Sequence, residues 1–141
     1  VVFRASDPAI GRTVAIKTIH MKDLGEGPER ERVRSRLLHE ARSAGVLSHP
    51  GIVTVYDVGE RDDLAYIAME FVNGPTLEKV LSGAEPPSPD FIFRVLRETA
   101  AALDYAHKNG VVHRDIKPAN VTLTAKGQAL LTALEKQGGN T

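Results

Sequence analysis

The tripeptide Asn73-Gly74-Pro75 constrains the fold more than any other feature, because the residue pattern changes at this point. Proline lacks a backbone N–H and glycine has few steric limits, so strands and helices rarely continue through such a sequence. Apolar residues before the tripeptide mostly alternate as they do in strands, whereas helical patterns open the part that follows. The sequence therefore predicts an α+β fold with two lobes and a ligand cleft at their junction. The predicted divisions are a small lobe at 1–72, a hinge at 73–75 and a large lobe at 76–141.

The small lobe is predicted to contain an antiparallel hairpin followed by one helix and two more strands. In the second strand Ala15 and Lys17 share one face, and Val14 and Ile16 share the other. We expect the two aliphatic side chains to be buried and Lys17 to face a cleft or solvent. The predicted strands are 1–5, 13–19, 52–56 and 64–72, and the predicted helix is 29–47, with an apolar stripe of Val33, Leu37, Ala41 and Ala44.

The large lobe is predicted to open with two helices. Thr76 is suited to cap a short helix at 77–81, and Ser88 or Asp90 is suited to cap a long one at 90–108, after a proline-containing linker. Asn109-Gly110 would end the long helix. Its predicted buried stripe consists of Ile92, Val95, Leu96, Thr99, Leu103 and Ala106.

Composition excludes several classes of function. The 141 residues carry 18 basic and 18 acidic side chains, so there is no net positive charge to attract a nucleic acid. There is no cysteine, which excludes disulfides and thiolate metal sites. No apolar run approaches the roughly 18 residues that span a bilayer, and we expect no membrane contact within this segment. The oligomeric state cannot be derived from these features.

The segment from His113 to Asn120 carries the clearest chemistry. It places a carboxylate, an amine and an amide within six positions of an irregular loop, at Asp115, Lys117 and Asn120. Phosphoryl transfer requires a group that orients the acceptor hydroxyl, a cation near the moving phosphoryl group and an oxygen ligand for Mg²⁺. These three residues supply one of each.

This segment resembles the catalytic loop of protein kinases. Upstream, Val14-Ala15-Ile16-Lys17 resembles the strand that carries the ATP-binding lysine of that family, and Glu40 resembles its helix glutamate. Residues 69–72 resemble the gatekeeper and hinge, and 49–53 resemble the linker into the fourth strand. Lys117 followed by Pro118 is the serine/threonine version of the loop, and the sequence looks like that of a bacterial member. The resemblance implies the two-lobed kinase fold.

The resemblance also implies the cofactors ATP and Mg²⁺, a protein substrate with Ser or Thr hydroxyls, and a cytoplasmic location, alone or as part of a membrane-anchored protein. Asp115 would orient the substrate hydroxyl, Lys117 would neutralise the transferred phosphoryl group and Asn120 would bind Mg²⁺. His113 and Arg114 would have structural and regulatory roles. The nucleotide-binding residues implied are Val2, Ala15, Lys17, Glu40, Met69, Glu70, Val72 and Asn120.

The sequence departs from the family pattern in three places. A Gly-rich phosphate-binding loop would precede Val1, and Ala133 stands where the family has a metal-binding aspartate. Thr122 replaces an aliphatic residue expected beneath the adenine. The chain is thus expected to be a partial kinase domain, with negligible activity by itself.

Two other functions stay open at this point. One is a pseudokinase that binds nucleotide without turnover, or a scaffold module, which Ala133 favours. The other is a phosphotransferase acting on a small molecule, which the pairing of Lys117 with Pro118 disfavours. Asp104 and His107 share a helix face, but without a third ligand nearby in the sequence we expect surface hydrogen bonding rather than a metal site.

Overall fold

The computed structural model describes residues 2–132, which form two compact units. One unit contains the chain up to Val46 together with Thr54–Phe71, and the other contains Leu47–Val53 together with the chain from Val72 onward. The first unit consists of β1 (Val2–Asp7), β2 (Arg12–His20), a 3-10 turn (Met21–Leu24), α1 (Gly27–Gly45), β3 (Val55–Arg61) and β4 (Leu64–Glu70). The second consists of α2 (Leu77–Leu81), α3 (Pro89–Lys108), a 3-10 turn (Pro118–Asn120), β5 (Val121–Leu123) and β6 (Ala129–Leu131).

The first unit is built on a four-stranded antiparallel sheet with the strand order β1-β2-β4-β3. The hairpin predicted from the sequence is present, and its turn contains Gly11 at a φ of 66°, a conformation that glycine adopts without strain. Val14 is buried, but Ile16 is only half-buried. Lys17 is also buried, with 9% of its surface exposed, so of the two expected surroundings, a cleft or solvent, open solvent is excluded. Lys17 lies within β2, and its backbone is paired with Val2 of β1 on one side and with Ile67 of β4 on the other.

Helix α1 packs against this sheet through small and branched side chains. Leu38, Ala41 and Ala44 are buried, whereas the predicted stripe residues Val33 and Leu37 are only half-buried. The helix is also tied to β3 by ion pairs, in which Arg34 contacts the Glu60 carboxylate through two nitrogens. This hydrogen bonding lowers the pKa of Glu60 from its ordinary value of 4.5 and raises that of Arg34.

The segment 47–53 belongs to the second unit, although the sequence pattern placed it with the first. The Val53 N–H donates to the carbonyl oxygen of Leu131 at 3.0 Å, and the Leu131 N–H donates to Gly51 at 2.7 Å. Gly51 and Val53 thus pair with β6, and strand β3 runs over Val55–Arg61, so the bounds predicted for this strand, 52–56, are wrong.

The second unit has two small apolar clusters, and both include residues from the same side of α3. Ser88 and Thr76 cap α3 and α2 as predicted, each accepting a hydrogen bond from the backbone N–H three residues later, at Phe91 and Lys79. Leu96 is 60% exposed, so its predicted burial is wrong: Val95, Ala102 and Ala106 line the packed side of the helix. The first cluster contains Val95, Val121, Leu123, Ala129 and Leu131, and the second contains Leu47, Ile52, Ala102 and Ala106.

Gly74 has a close contact that explains why the Asn73-Gly74-Pro75 break contains glycine. A Cβ atom at this position would lie 1.7 Å from the carbonyl oxygen of Leu123. The next residue, Pro75, accepts a hydrogen bond from the Leu123 N–H at 2.9 Å, and Thr76 bridges to Thr122. The start of the second unit is therefore held directly against β5. No helix between residues 2 and 132 combines the length and apolar character needed to cross a bilayer.

Candidate active site

The loop that connects α3 with β5 carries the three predicted catalytic residues. It leaves α3 at Gly110, whose φ of 78° lets the chain turn, and ends in the 3-10 turn that begins at Pro118. Proline at this first position has no N–H to leave unsatisfied. The turn brings Asn120 to the start of β5, where the residue is completely buried.

Asn120 is anchored to Asp115 through its side-chain amide. The Nδ2 group donates to the backbone carbonyl oxygen of Asp115 at 2.9 Å and is 3.4 Å from its carboxylate Oδ2. The Asn120 backbone carbonyl in turn accepts from the Thr132 N–H at 2.9 Å. These contacts fix the orientation of the amide and, with it, the direction of the opposite oxygen.

That opposite oxygen, Oδ1 of Asn120, is buried and has no hydrogen-bond partner among residues 2–132. A buried polar atom without a partner costs on the order of 1–3 kcal/mol, so native proteins rarely retain one without a reason. An amide oxygen is a ligand that Mg²⁺ accepts. Asn120 therefore fits the metal-binding position that the sequence predicted for it.

Lys117 and Asp115 form an ion pair next to this amide. Lys117 Nζ lies 3.1 Å from Asp115 Oδ2, and the two side chains are 44% and 31% exposed. Both charged groups can thus reach solvent and a substrate, while the neighbouring amide keeps the carboxylate in place. The structure brings all three predicted catalytic residues together within one loop.

His113 connects this loop to β6, a role that the sequence did not specify. Its Nδ1 accepts a hydrogen bond from the Asp115 N–H at 3.1 Å, and its Nε2 contacts the carbonyl oxygen of Thr132. Because Nδ1 accepts and a carbonyl can only accept, the proton must sit on Nε2 of a neutral ring. The ring is buried, and Arg114 beside it has a φ of 69°, uncommon for a residue with a side chain. The sequence pattern could not predict the contact between His113 and Thr132, because the two residues are 19 positions apart.

Four of the predicted nucleotide-binding residues lie on one face of the sheet in the first unit. Lys17 is opposite Val2 on β1, and Ala15 is opposite Met69 on β4. Residues paired directly across antiparallel strands share a face, as do residues two apart on one strand. Lys17 and Met69 are buried, Ala15 is half-buried and Val2 is 57% exposed.

The other predicted nucleotide-binding residues have different surroundings. Glu40 lies on α1, where its carboxylate accepts a hydrogen bond from Arg36 Nε at 3.0 Å. Glu70 ends β4, and its carboxylate accepts from the Thr54 N–H at 3.1 Å. Val72 is half-buried and begins the second unit. The contact between Lys17 and Glu40 stays a prediction.

Clusters of three or more His, Asp or Glu side chains suited to a metal do not occur in the part of the chain that the structure describes. Asp104, one of the pair considered from the sequence, forms an ion pair with Lys108 at 2.8 Å. Mg²⁺ that is bound with a nucleotide needs only one or two protein ligands besides phosphate oxygens, so Asn120 suffices for one of them. Ala133, where the family pattern has a second ligand, lies outside the described residues.

Comparison with known proteins decides the family. The sequence matches the protein kinase domain model over residues 1–133, which is nearly the whole chain. The chain belongs to the protein kinase domain family. The fold, with its four-stranded antiparallel sheet and helices before the catalytic loop, agrees with this membership, and the α+β prediction is confirmed.

The similar proteins are bacterial serine/threonine kinases. The chain is 42% identical over 131 residues to a probable serine/threonine-protein kinase, pknA2, of Bifidobacterium longum, covering 93% of this chain and 17% of that protein. It is 38% identical to PrkC of Bacillus subtilis, covering 93% and 20%, and 38% identical to PknB of Mycobacterium tuberculosis, covering 88% and 20%. The chain thus spans about a fifth of the length of these relatives.

Proposed function

We propose that residues 1–141 supply nucleotide-binding and catalytic-loop residues of a serine/threonine protein kinase, which transfers the γ-phosphoryl group of ATP to protein Ser or Thr hydroxyls. The single observation that supports this most is the buried, anchored amide of Asn120, whose Oδ1 has no partner within the described residues and is a suitable ligand for Mg²⁺. The names of the similar proteins point to the same acceptor class. The proposal includes a cytoplasmic location, where ATP is available.

Each catalytic-loop residue then has a chemical task. Asp115 accepts a hydrogen bond from the acceptor hydroxyl and orients it towards the phosphoryl group. Lys117, 3.1 Å from Asp115 in this structure, turns to the phosphate oxygens as negative charge gathers there. Asn120 holds Mg²⁺, which when bound neutralises charge on the phosphates.

The residues on the sheet face of the first unit would bind the nucleotide. Lys17 would contact the α- and β-phosphates, with Glu40 orienting its ammonium group, because a cation held by a carboxylate is better positioned than a mobile one. Ala15 and Val2 would pack on the adenine, and Met69 would limit the depth of the pocket. Glu70 and Val72 would bind the adenine edge through backbone groups.

The proposal is tested with the full natural chain that carries these residues. We expect Mg²⁺-dependent transfer of phosphate from radiolabelled ATP to a protein acceptor, with phosphoserine or phosphothreonine in the hydrolysed product. Asp115→Asn should lower kcat by on the order of 10²–10⁴. Asp104→Asn, which changes an exposed acid on α3, serves as the control. Transfer that Asp115→Asn leaves intact, or phosphate found only on tyrosine or on a small molecule, would overturn the proposal.

A pseudokinase or scaffold module is the second candidate, because Ala133 lacks the carboxylate of the family's metal-binding aspartate. A module of this kind would bind ATP without turnover, and binding would persist after Mg²⁺ is removed. Calorimetric titration of the full natural chain with ATP, with and without a chelator, separates the candidates. Binding that survives chelation, is lost in Lys17→Met and gives no phosphate transfer would support the pseudokinase.

A further inference from the structure

A cavity beside α3 has no part in the proposed function. It has a volume of about 360 Å³ and lies entirely within the second unit, between the segment 47–53, the middle of α3 and the turn that leads into β6. Among the described residues, no lysine or arginine lines it. The lining includes His49, Pro50, Glu98, Ala101, Gln128 and Ala129.

Glu98 and Gln128 are each held in place through one polar atom, and each has a second one to offer. Glu98 Oε2 accepts a hydrogen bond from the Ala129 N–H at 2.7 Å, and Gln128 Nε2 donates to the carbonyl oxygen of Pro50 at 3.1 Å. Because a carbonyl can only accept, the amide nitrogen of Gln128 must face Pro50, and its Oε1 lies on the opposite side. Neither this Oε1 nor Oε1 of Glu98 has a hydrogen-bond partner among residues 2–132. The lining therefore offers two acceptor oxygens on side chains that are already fixed.

The negative charge of Glu98 is not neutralised by a neighbouring cation. Glu98 forms no ion pair within the described part of the chain. Arg94, one turn earlier on α3, instead has its guanidinium carbon 5.6 Å from the centre of the Phe91 ring. His49 adds no positive charge, because its Nδ1 accepts a hydrogen bond from the Gly51 N–H at 2.9 Å and so carries no proton. The cavity lining thus combines a net negative charge with two hydrogen-bond acceptors.

We propose that this cavity binds the side chain of an arginine from a partner protein. A guanidinium group presents five N–H donors in a rigid plane and is less strongly hydrated than an ammonium group, so it suits a half-buried carboxylate near an amide oxygen. The methylene stem of the arginine packs on the small and apolar part of the lining, at Pro50, Ala101 and Ala129.

The charge of the lining also favours a protein over a free amino acid as the source of this side chain. The α-carboxylate of free arginine would meet the negative charge of Glu98 without a lining cation to neutralise it. An arginine within a peptide chain has no such carboxylate. The inference does not depend on the proposed function, because the cavity contains none of the residues assigned to nucleotide binding or catalysis.

The test uses the full natural chain and a blocked tripeptide, acetyl-Gly-Arg-Gly-amide, whose signals are followed by saturation-transfer NMR during a titration. We expect the strongest transfer at the methylene groups of the arginine side chain. The same peptide with citrulline, which has a similar shape but no charge, should bind about tenfold more weakly. The affinity of the arginine peptide should also fall as salt is added, because ions screen the Glu98 charge.

Two variants of α3 change the cavity in different ways. Glu98→Gln keeps an oxygen for the Ala129 N–H but removes the charge, and it should weaken binding of the arginine peptide about tenfold. Ala101→Leu places a larger side chain at an exposed position of the helix, and it should block the cavity without disturbing the helix, since leucine is a good helix former. Asp104→Asn removes an exposed acid of the same helix outside the cavity and should leave binding unchanged.

Three results would overturn this inference. They are equal binding of the arginine and citrulline peptides, an affinity that neither Glu98→Gln nor Ala101→Leu lowers, and tighter binding of free L-arginine than of the blocked tripeptide. Urea unfolding of each variant shows whether it is folded under the conditions of the titration. None of these results bears on phosphate transfer, which the Asp115→Asn experiment tests separately.

Discussion

The Asn120 side-chain amide donates a hydrogen bond to the backbone carbonyl oxygen of Asp115 at 2.9 Å. Because Nδ2 is used in this way, Oδ1 is the atom left to bind a metal. One side chain therefore holds the position of the proposed hydroxyl-orienting residue and presents an oxygen atom for the proposed Mg²⁺.

Two substitutions of Asn120 should separate these tasks. Asn120→Asp keeps an oxygen ligand but removes the donor and places a second negative charge beside the Asp115 carboxylate. We expect Mg²⁺-dependent ATP binding to persist while kcat falls on the order of 10²-fold. Asn120→Ala should weaken both. Steady-state kinetics over a range of Mg²⁺ concentrations checks this in the full natural chain, and equal losses of metal binding in both variants would contradict it.

Gly74→Ala should destabilise the second unit. The new Cβ would meet the Leu123 carbonyl oxygen at 1.7 Å, and both atoms belong to the backbone or are fixed to it. The chain must shift to relieve this overlap, at a cost of about 1–3 kcal/mol. Urea denaturation should show a lower midpoint.

Gly45→Ala is the matched control for this change, because a Cβ at position 45 has no atom within 4 Å. Alanine is a better helix former than glycine, so this variant should be unchanged or slightly more stable. If the Gly74→Ala protein were as stable as the natural one, this would contradict the close contact between Gly74 and β5.

The Arg34–Glu60 pair should make stability depend on acid pH. The pKa of Glu60 is below 4.5 in the folded protein and near 4.5 in the unfolded chain, so the ionised pair favours folding above pH 4.5. This contribution is lost as the pH falls through the lowered pKa. Glu60→Gln should therefore be less stable than the natural protein at neutral pH, and the difference should vanish well below pH 4.5.

Thermal denaturation of both proteins between pH 3 and 7 measures this difference. Asp62→Asn is the control, because it neutralises a nearby exposed acid at a position with a φ of 56°, which asparagine tolerates. A constant difference between Glu60→Gln and the natural protein across this range would contradict the role of the ion pair.

His113→Phe should weaken the connection between the catalytic loop and β6. Phenylalanine fills a similar space but leaves the Asp115 N–H and the Thr132 carbonyl without their partner. Leaving buried polar groups unsatisfied costs about 1–3 kcal/mol. Denaturant unfolding should show this loss, whereas His107→Phe, on the exposed side of α3, should show none.

Ala133→Asp should strengthen Mg²⁺-dependent ATP binding. Ala133 itself lies outside the described residues, but Thr132 before it is bonded to Asn120 through its N–H and to His113 through its carbonyl. A carboxylate introduced directly after Thr132 could add a second oxygen ligand to the one from Asn120. We expect about tenfold tighter binding, which corresponds to about 1.4 kcal/mol. Ala133→Asn, which lacks the charge, should gain less, and no gain in either variant would contradict the prediction.

The sequence by itself determined the features that depend on neighbouring residues. Ser88 and Thr76 cap their helices as predicted, because a cap needs only a side-chain oxygen and a backbone N–H three residues later. The hairpin of β1 and β2 and the ends of α3 follow from local turn chemistry in the same way. The order and spacing of the motifs also identified the family, since these are properties of the sequence itself.

The tertiary structure decided which residues far apart in the chain share a partner. Residues 47–53 belong to the second unit because the Leu131 backbone pairs with Gly51 and Val53. No local pattern encodes a partner about 80 positions away in the chain. Leu96 stays exposed because the clusters of the second unit lie on the other side of α3, and Lys17 is buried although it carries a charge. The bond of His113 to Thr132, which is 19 positions away, likewise depends on how the two residues meet after folding. Composition and spacing specify the groups available, and packing selects among their possible partners.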